Sequence, residues 1–224
     1  AVPGVPGSPN LEPGDRQVTA TWAAPANDGT PVTKYTAELS GPQGIVSREV
    51  AGTTIVFSGL QNGAGYTVRV RAHNSATPPE GGAWSGASRQ AVPAGLPGTP
   101  EVGASRVEDP LGGKIKATWT EPDANGSALT GFTVVAQSPG QPTLTYQAGG
   151  GERETTFSSV VNGADYTVSV TAKNTVGAGA AGTSAPTSTF APPRPTAMIE
   201  QSTAQSDPTT EPTAVFDVTF SEAV

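Results

Sequence analysis

The chain reads as all-β, built as two tandem β-sandwiches of about seven short strands each. Three observations predict this. The stretch Leu60 to Asn74 returns as Val160 to Asn174. Both copies, and most runs between them, alternate apolar and polar residues with a period of two. Glycine (28) and proline (22) supply nearly a quarter of the 224 residues, which is turn chemistry in quantity.

Each copy is an apolar residue, an Asn-Gly turn, a tyrosine and then strict alternation. In the first, Tyr66, Val68, Val70 and Ala72 fall on one face and Thr67, Arg69 and Arg71 on the other. In the second, Tyr166, Val168, Val170 and Ala172 oppose Thr167, Ser169 and Thr171. Each strand is therefore half-buried, as in an antiparallel sheet with one wet face. Asn62-Gly63 and Asn162-Gly163 supply the positive φ of a tight turn. A tyrosine six residues after Leu60 or Val160 can bury its ring and return its hydroxyl to the turn backbone.

Ala1 to Pro9 is proline-rich and fits a linker or an edge strand. Val18, Ala20 and Trp22 alternate as the next strand, Pro25 to Pro31 is a loop, and Tyr35, Ala37 and Leu39 alternate again. After the Gly41–Gly44 turn, Ile45 to Val50 is a weak strand, and Thr53, Ile55 and Phe57 lead into Leu60. Ser75 to Gly82 reads as a flexible loop and Trp84 to Val92 as a poorly patterned final strand. The second pass matches the first: Ile115, Ala117 and Trp119 follow Val18, Ala20 and Trp22 at an offset of 119 − 22 = 97, which becomes 166 − 66 = 100 by the tyrosine. Three residues have been gained between Phe132 and Phe157, an insertion that a loop absorbs cheaply. The inward-pointing Trp22, Tyr35, Leu60, Tyr66, Trp119, Phe132, Val160 and Tyr166 are expected to form the two cores.

This divides the chain into unit 1 (1–94), unit 2 (95–192) and a tail (193–224). Prolines in Ala91–Pro100 and Phe190–Pro195 stiffen the joins. The tail has a strand signal at Asp217–Phe220 and is too short for its own β core, so it reads as the start of a third β domain.

Composition excludes several functions. With no cysteine, disulfides, thiol catalysis and cysteine-held metals are ruled out. A single histidine, His73, argues against a histidine zinc site. The net charge of −7 disfavours nucleic acid, and no apolar run reaches transmembrane length. A start at Ala1 with no secretory signal reads as a mature or excised fragment. Acidic and basic side chains number six and six in unit 1, eight and five in unit 2, and five and one in the tail, so the units share no common charged face.

Trp22, Pro25, Tyr35, Leu60, Tyr66, Val68, Val70, Ala72 and Asn74 resemble the pattern of the fibronectin type III family. So do Trp119, Pro122, Phe132, Val160, Tyr166, Val168, Val170, Ala172 and Asn174. Phe132 stands where the family often has tyrosine and Val160 where it usually has leucine; both remain apolar. The resemblance covers roughly residues 3–192 and implies seven-stranded immunoglobulin-like sandwiches. The tail, through Asp217–Val224, looks like the beginning of a bacterial immunoglobulin-like repeat. Together they imply a large secreted or cell-surface protein of bacterial type, located outside the cell. Its modules would be non-catalytic spacers that present other domains or build a fibre by self-association. The alternative is an adhesion module that recognises a glycan or a protein partner.

Few residues point to chemistry. Gly177–Gly182 lacks the lysine and helix of a phosphate loop and reads as a flexible connection. His73 is expected on the outer face of its strand. Glu152 and Glu154, two apart on an expected strand, read as solvated. Asp28, Asp123, Asp207 and Glu211 are candidate oxygen ligands for calcium at a domain joint, although their spacing matches no known loop. Trp84 is expected to cover the edge of its own sandwich; its functional alternative is an aromatic platform for a sugar or a protein. The other contact surfaces in that alternative are the loops Ser75–Gly82 and Thr175–Gly182. Ser75–Ala83 contains no Arg-Gly-Asp, so integrin binding is not supported.

Overall fold

The computed structural model describes residues 1–26, 29–76, 81–108, 113–189, 197–201 and 216–220. In unit 1, β1 (Asn10–Gly14), β2 (Gln17–Thr21) and β5 (Thr54–Ser58) form one antiparallel sheet in the order β1-β2-β5. The facing sheet has the order β4-β3-β6, from β3 (Lys34–Gly41), β4 (Gly44–Val50) and β6 (Thr67–His73). Register explains the burial. Tyr35, Ala37 and Leu39 lie opposite Ala72, Val70 and Val68, and all six are buried. A slip of one residue would turn the whole set toward water. Val18, Ala20 and Phe57 close the core from the other sheet.

Unit 2 repeats the arrangement. β7 (Val102–Arg106), β8 (Ile115–Trp119) and β11 (Glu154–Phe157) form the first sheet. β9 (Gly131–Gln137), β10 (Leu144–Gly149), β12 (Asp165–Lys173) and β13 (Ala178–Thr183) form the second, and the short β14 (Thr187–Ser188) also pairs with β12. Phe132, Val134 and Ala136 lie opposite Ala172, Val170 and Val168. The three extra residues can be located by register. Tyr35 pairs with Val50 and Phe132 with Ala148, separations of 50 − 35 = 15 and 148 − 132 = 16. From there to Phe57 and Phe157 is 57 − 50 = 7 and 157 − 148 = 9. One residue lies in the β9–β10 connection and two in the glycine turn before β11.

In the tail, β15 (Ala197–Gln201) and β16 (Phe216–Phe220) pair antiparallel. Met198, Ile199, Phe216 and Val218 are exposed on this hairpin.

Several elements differ from the sequence reading. β1 and β7 carry no clear alternation; β1 is an edge strand, which is why Pro13 is tolerated opposite Val18. Trp84–Val92 is not a continuous strand: its ladder contact is the single bridge between Tyr66 and Ala91. Gly177–Gly182, read as a loop, contributes to β13. Its glycines admit the segment before β7. A Cβ on Gly182 would lie 1.9 Å from the Pro100 carbonyl oxygen, and one on Gly179 2.2 Å from that of Pro97.

Candidate functional site

Side-chain and backbone polar groups of the two units meet at a joint. Unit 1 contributes the β1–β2 turn, Asp15 and Arg16, and the turn around Asn62-Gly63. Unit 2 contributes the loop Asp123–Gly126, and the linker from Pro93 to Leu96 runs between the two. The Asn62 side-chain amide donates to Asp15 Oδ1 (2.7 Å) and to Asn125 Oδ1 (2.6 Å), and its own oxygen accepts from the Arg16 backbone N–H (2.8 Å). The Asn125 amide donates in turn to the Leu96 carbonyl (2.9 Å). Gly63 N–H donates to Pro93 O, and Gly95 N–H to Asn125 O, both at 2.9 Å. The Asn174 amide, at the end of β12, holds both sides of this approach by donating to the Gly95 carbonyl (2.8 Å) and the Ala124 carbonyl (3.1 Å). Beside the joint is an open cleft of about 490 Å³, lined by Arg16, Gln43, Gln61, Asn62, Asp123 and Asn125 among others.

Local sequence makes both halves. Arg16 and Asn125 adopt φ of +55° and +52°, and Gly63 and Gly126 take +79° and +85°. Asn tolerates the left-handed region and Gly enters it freely. The Asp123 carboxylate accepts from Asn125 N–H (2.8 Å) and sets the loop. Gly126 is required twice over, since a Cβ there would also lie 2.5 Å from Gly63 N. The turn in unit 1 is fixed from below, where the Tyr66 hydroxyl accepts from Gln61 N–H (3.0 Å); Tyr166 does the same for Val161 N–H (3.2 Å). Both rings are almost fully buried. Trp22, Tyr35, Leu60, Trp119, Phe132 and Val160 are buried beside them.

The fibronectin type III domain family model matches residues 6–84 and 101–190. The chain belongs to the fibronectin type III family. Among solved structures it is similar to the FN1-FN3 domains of chicken CNTN1, at 20% identity over 89% of this chain and 72% of that one, with a TM-score of 0.45. It is also similar to a segment of two fibronectin type III domains from chicken tenascin, at 17% identity over 80% of this chain and 96% of that one, with a TM-score of 0.41.

Trp84, in the first fibronectin unit, is half-buried on the outer face of β6. Guanidinium groups of Arg69 and Arg71 each lie 4.5 Å from its ring centroid. The ring is thus shared by both guanidinium groups. Arg69 also forms an ion pair with Glu38 at 2.7 Å.

His73, expected outside, is buried: its Nε2 is 2.7 Å from the Thr36 hydroxyl, and Gly81 lies against the ring. Burial, reinforced by the neighbouring Lys34 and Arg71, holds its pKa below the ordinary imidazole value; Glu49 opposes this more weakly. Glu152 and Glu154 do not share a strand face. Glu152 precedes β11 and accepts from Gly149 N–H and the Tyr146 hydroxyl, both at 2.8 Å, whereas Glu154 pairs with Lys116 at 2.7 Å. Those hydrogen bonds, that from Gly149 first, hold the Glu152 carboxyl below its usual range. Of the calcium candidates, Asp123 lies in the joint, and Asp28, Asp207 and Glu211 lie outside the described residues. Among the described residues no group of three or more His, Cys, Asp or Glu is placed to hold a metal ion.

The joint residues Asp15, Asn62 and Asn125 were not singled out from sequence as contacts. The available signal was the recurrence of Asn-Gly, which marks turns but does not say that two of them meet.

Proposed function

We propose that the two units act as non-catalytic spacer modules of a large secreted or cell-surface protein of bacterial type, holding flanking domains at a set separation. The observation that carries this reading is the hydrogen-bonded joint. A flexible tether needs no side chain to bridge its two ends, but here the Asn62 amide binds a residue of each unit. Extended chains of such units, including fibres, belong to the same proposal.

Small-angle scattering on the whole chain tests it. Wild-type protein should show one dominant, extended separation between the units. Asn62→Ala should broaden that distribution, cost unit 1 about 1–2 kcal/mol for its bonds to Asp15 and Arg16 N–H, and leave the melting of unit 2 unchanged. A wild-type profile in which the units fold back on each other, or a distribution insensitive to Asn62, would sink the proposal. Labelling of intact producing cells with an antibody to the chain tests the surface location.

The second reading, a contact surface for a glycan or protein, is favoured by one observation: Arg69, Arg71 and the half-buried Trp84 form a cation–aromatic cluster on the outer face of β6, where β12 carries Ser169 and Thr171. Loss of binding to a glycan array or cells in Trp84→Ala, with folding intact, would support it. Binding that survives the substitution would remove it.

A further inference from the structure

The cleft of about 490 Å³ beside the joint has walls from both units: Arg16, Gln43 and Gln61 from three turns of unit 1, and Asp123 and Asn125 from the loop of unit 2. The Asn62–Asn125 hydrogen bond ties one wall to the other. The backbone under these side chains is held. Arg16 N–H donates to Asn62 Oδ1 (2.8 Å), Arg16 O accepts from Leu60 N–H (2.9 Å), and Gln61 N–H donates to the Tyr66 hydroxyl (3.0 Å). The side chains themselves are uncommitted. The Arg16 guanidinium and the carboxamides of Gln43 and Gln61 are exposed and have no hydrogen bond or ion pair among the described residues. Asp123 uses one carboxylate oxygen on Asn125 N–H and has the other to offer.

We propose that this cleft is a binding site for a neutral glycan, taking one sugar ring between the two units. This rests on the reading of the chain as a glycan contact and places that contact at the joint instead of at Trp84. The ligand chemistry follows from what the lining offers and what it opposes. An apolar molecule would strand its polar groups without partners. A cation meets Arg16. An anion meets Asp123, the Asp15 carboxylate that holds the Asn62 amide, and a chain whose net charge is −7. A sugar hydroxyl is uncharged and both donates and accepts. A carboxamide does both as well, a guanidinium supplies paired donors and a carboxylate paired acceptors, so neighbouring hydroxyls of one ring can be met two at a time. No aromatic ring is among the described lining residues. Binding therefore depends on hydrogen bonds at an open surface, which places its affinity in the millimolar range. A ring held by Gln61 on one wall and Asp123 on the other would add to the bonds that set the separation of the units.

The test is heteronuclear NMR of the whole chain titrated with glucose, galactose, mannose and N-acetylglucosamine, and with galacturonate to probe charge. At least one neutral sugar should move the side-chain amide signals of Gln43 and Gln61, and the shifts should saturate. Arg16→Asn tolerates the left-handed turn and removes the guanidinium; it should weaken that binding about 10-fold, as loss of a charged hydrogen bond would. Circular dichroism would confirm that the variant folds. Four results would each overturn the proposal: no neutral sugar moves those signals, galacturonate binds more tightly than all of them, Arg16→Asn binds as wild type does, or the shifts centre on the Trp84 indole. The last of these leaves the contact reading standing at Trp84. Scattering keeps the spacer reading apart from this one. One dominant separation without sugar binding refutes the cleft and leaves the spacer. No dominant separation means that the two walls do not stay together, and refutes both.

Discussion

Unit 1 and unit 2 close the open side of their second sheet in different ways. In unit 2 the closing segment is β13, laddered to β12 from Ser169–Thr183 to Lys173–Ala178 with one irregularity. In unit 1 the equivalent segment meets β6 through serines. Ser85 N–H donates to Val70 O (2.7 Å) while its hydroxyl accepts from Val70 N–H (3.0 Å), and Ser88 treats Val68 likewise (2.8 and 2.9 Å). Ser85 and Ser88 are three residues apart and their partners two, so a regular ladder cannot continue, and each hydroxyl takes the place of a missing carbonyl. Ser184 repeats the device once in unit 2, on Val168 (2.8 and 3.1 Å). Small residues explain the rest. Unit 2 has Ser169 and Thr171 on the outer face of β12, and its closing strand can lie flat. Unit 1 has Arg69 and Arg71 there, and Trp84 packs against both. The same core thus accepts two different edges, because edge packing is set by the outer face and the core is not.

The largest expected effect tests what the units share. Trp22→Ala and Trp119→Ala should each cost about 3–5 kcal/mol, as large core truncations do, and by similar amounts. Each indole packs on an aromatic partner, Tyr35 at 5.5 Å and Phe132 at 5.7 Å between centroids. Denaturant melts that resolve the two units would measure this; a near-neutral Trp119→Ala would mean that the second core does not depend on it. Trp84→Ala should remove two partly exposed cation–π contacts and cost unit 1 about 1–2 kcal/mol. If unit 1 is unmoved, the array contributes nothing to the edge and the contrast with β13 is geometric only. Tyr66→Phe and Tyr166→Phe should each cost about 1 kcal/mol for the lost corner hydrogen bond, and a large inequality between them would show that the joint above Tyr66 adds to its corner.

The smallest expected effect is a difference in pH response. The folded pKa of His73 is depressed, so above the ordinary value of 6.5 the ring is neutral in both folded and unfolded chains. Below it the unfolded chain takes up the proton first, so unit 1 loses stability as pH falls from about 6.5 toward the depressed folded value. Unit 2 carries Lys173 at the matching position and should lack this dependence. Thermal melts at several pH values, with His73→Gln as control, would check it; a slope retained in that variant would assign the response to other groups.

Local pattern made much of this molecule legible. Alternation from Tyr66 to Ala72 and from Tyr166 to Ala172 specified which side chains point inward, because a strand turns its side chains over every residue and water decides which face is covered. Tyrosine six residues beyond an apolar anchor specified the corner for the same local reason. The glycines of β13 misled: a glycine-rich run reads as loose chain until the Pro97–Pro100 backbone is seen pressed against it. His73 misled as well: its strand position faces outward, but Gly81 lies against its ring and Thr36 meets its Nε2. The joint lay wholly beyond such reading. Asp15, Asn62 and Asn125 belong to three separate turns, and no period or propensity connects turns distant in sequence. Their meeting depends on how two finished sandwiches and the linker between them come together, where backbone groups left over by each fold must find partners.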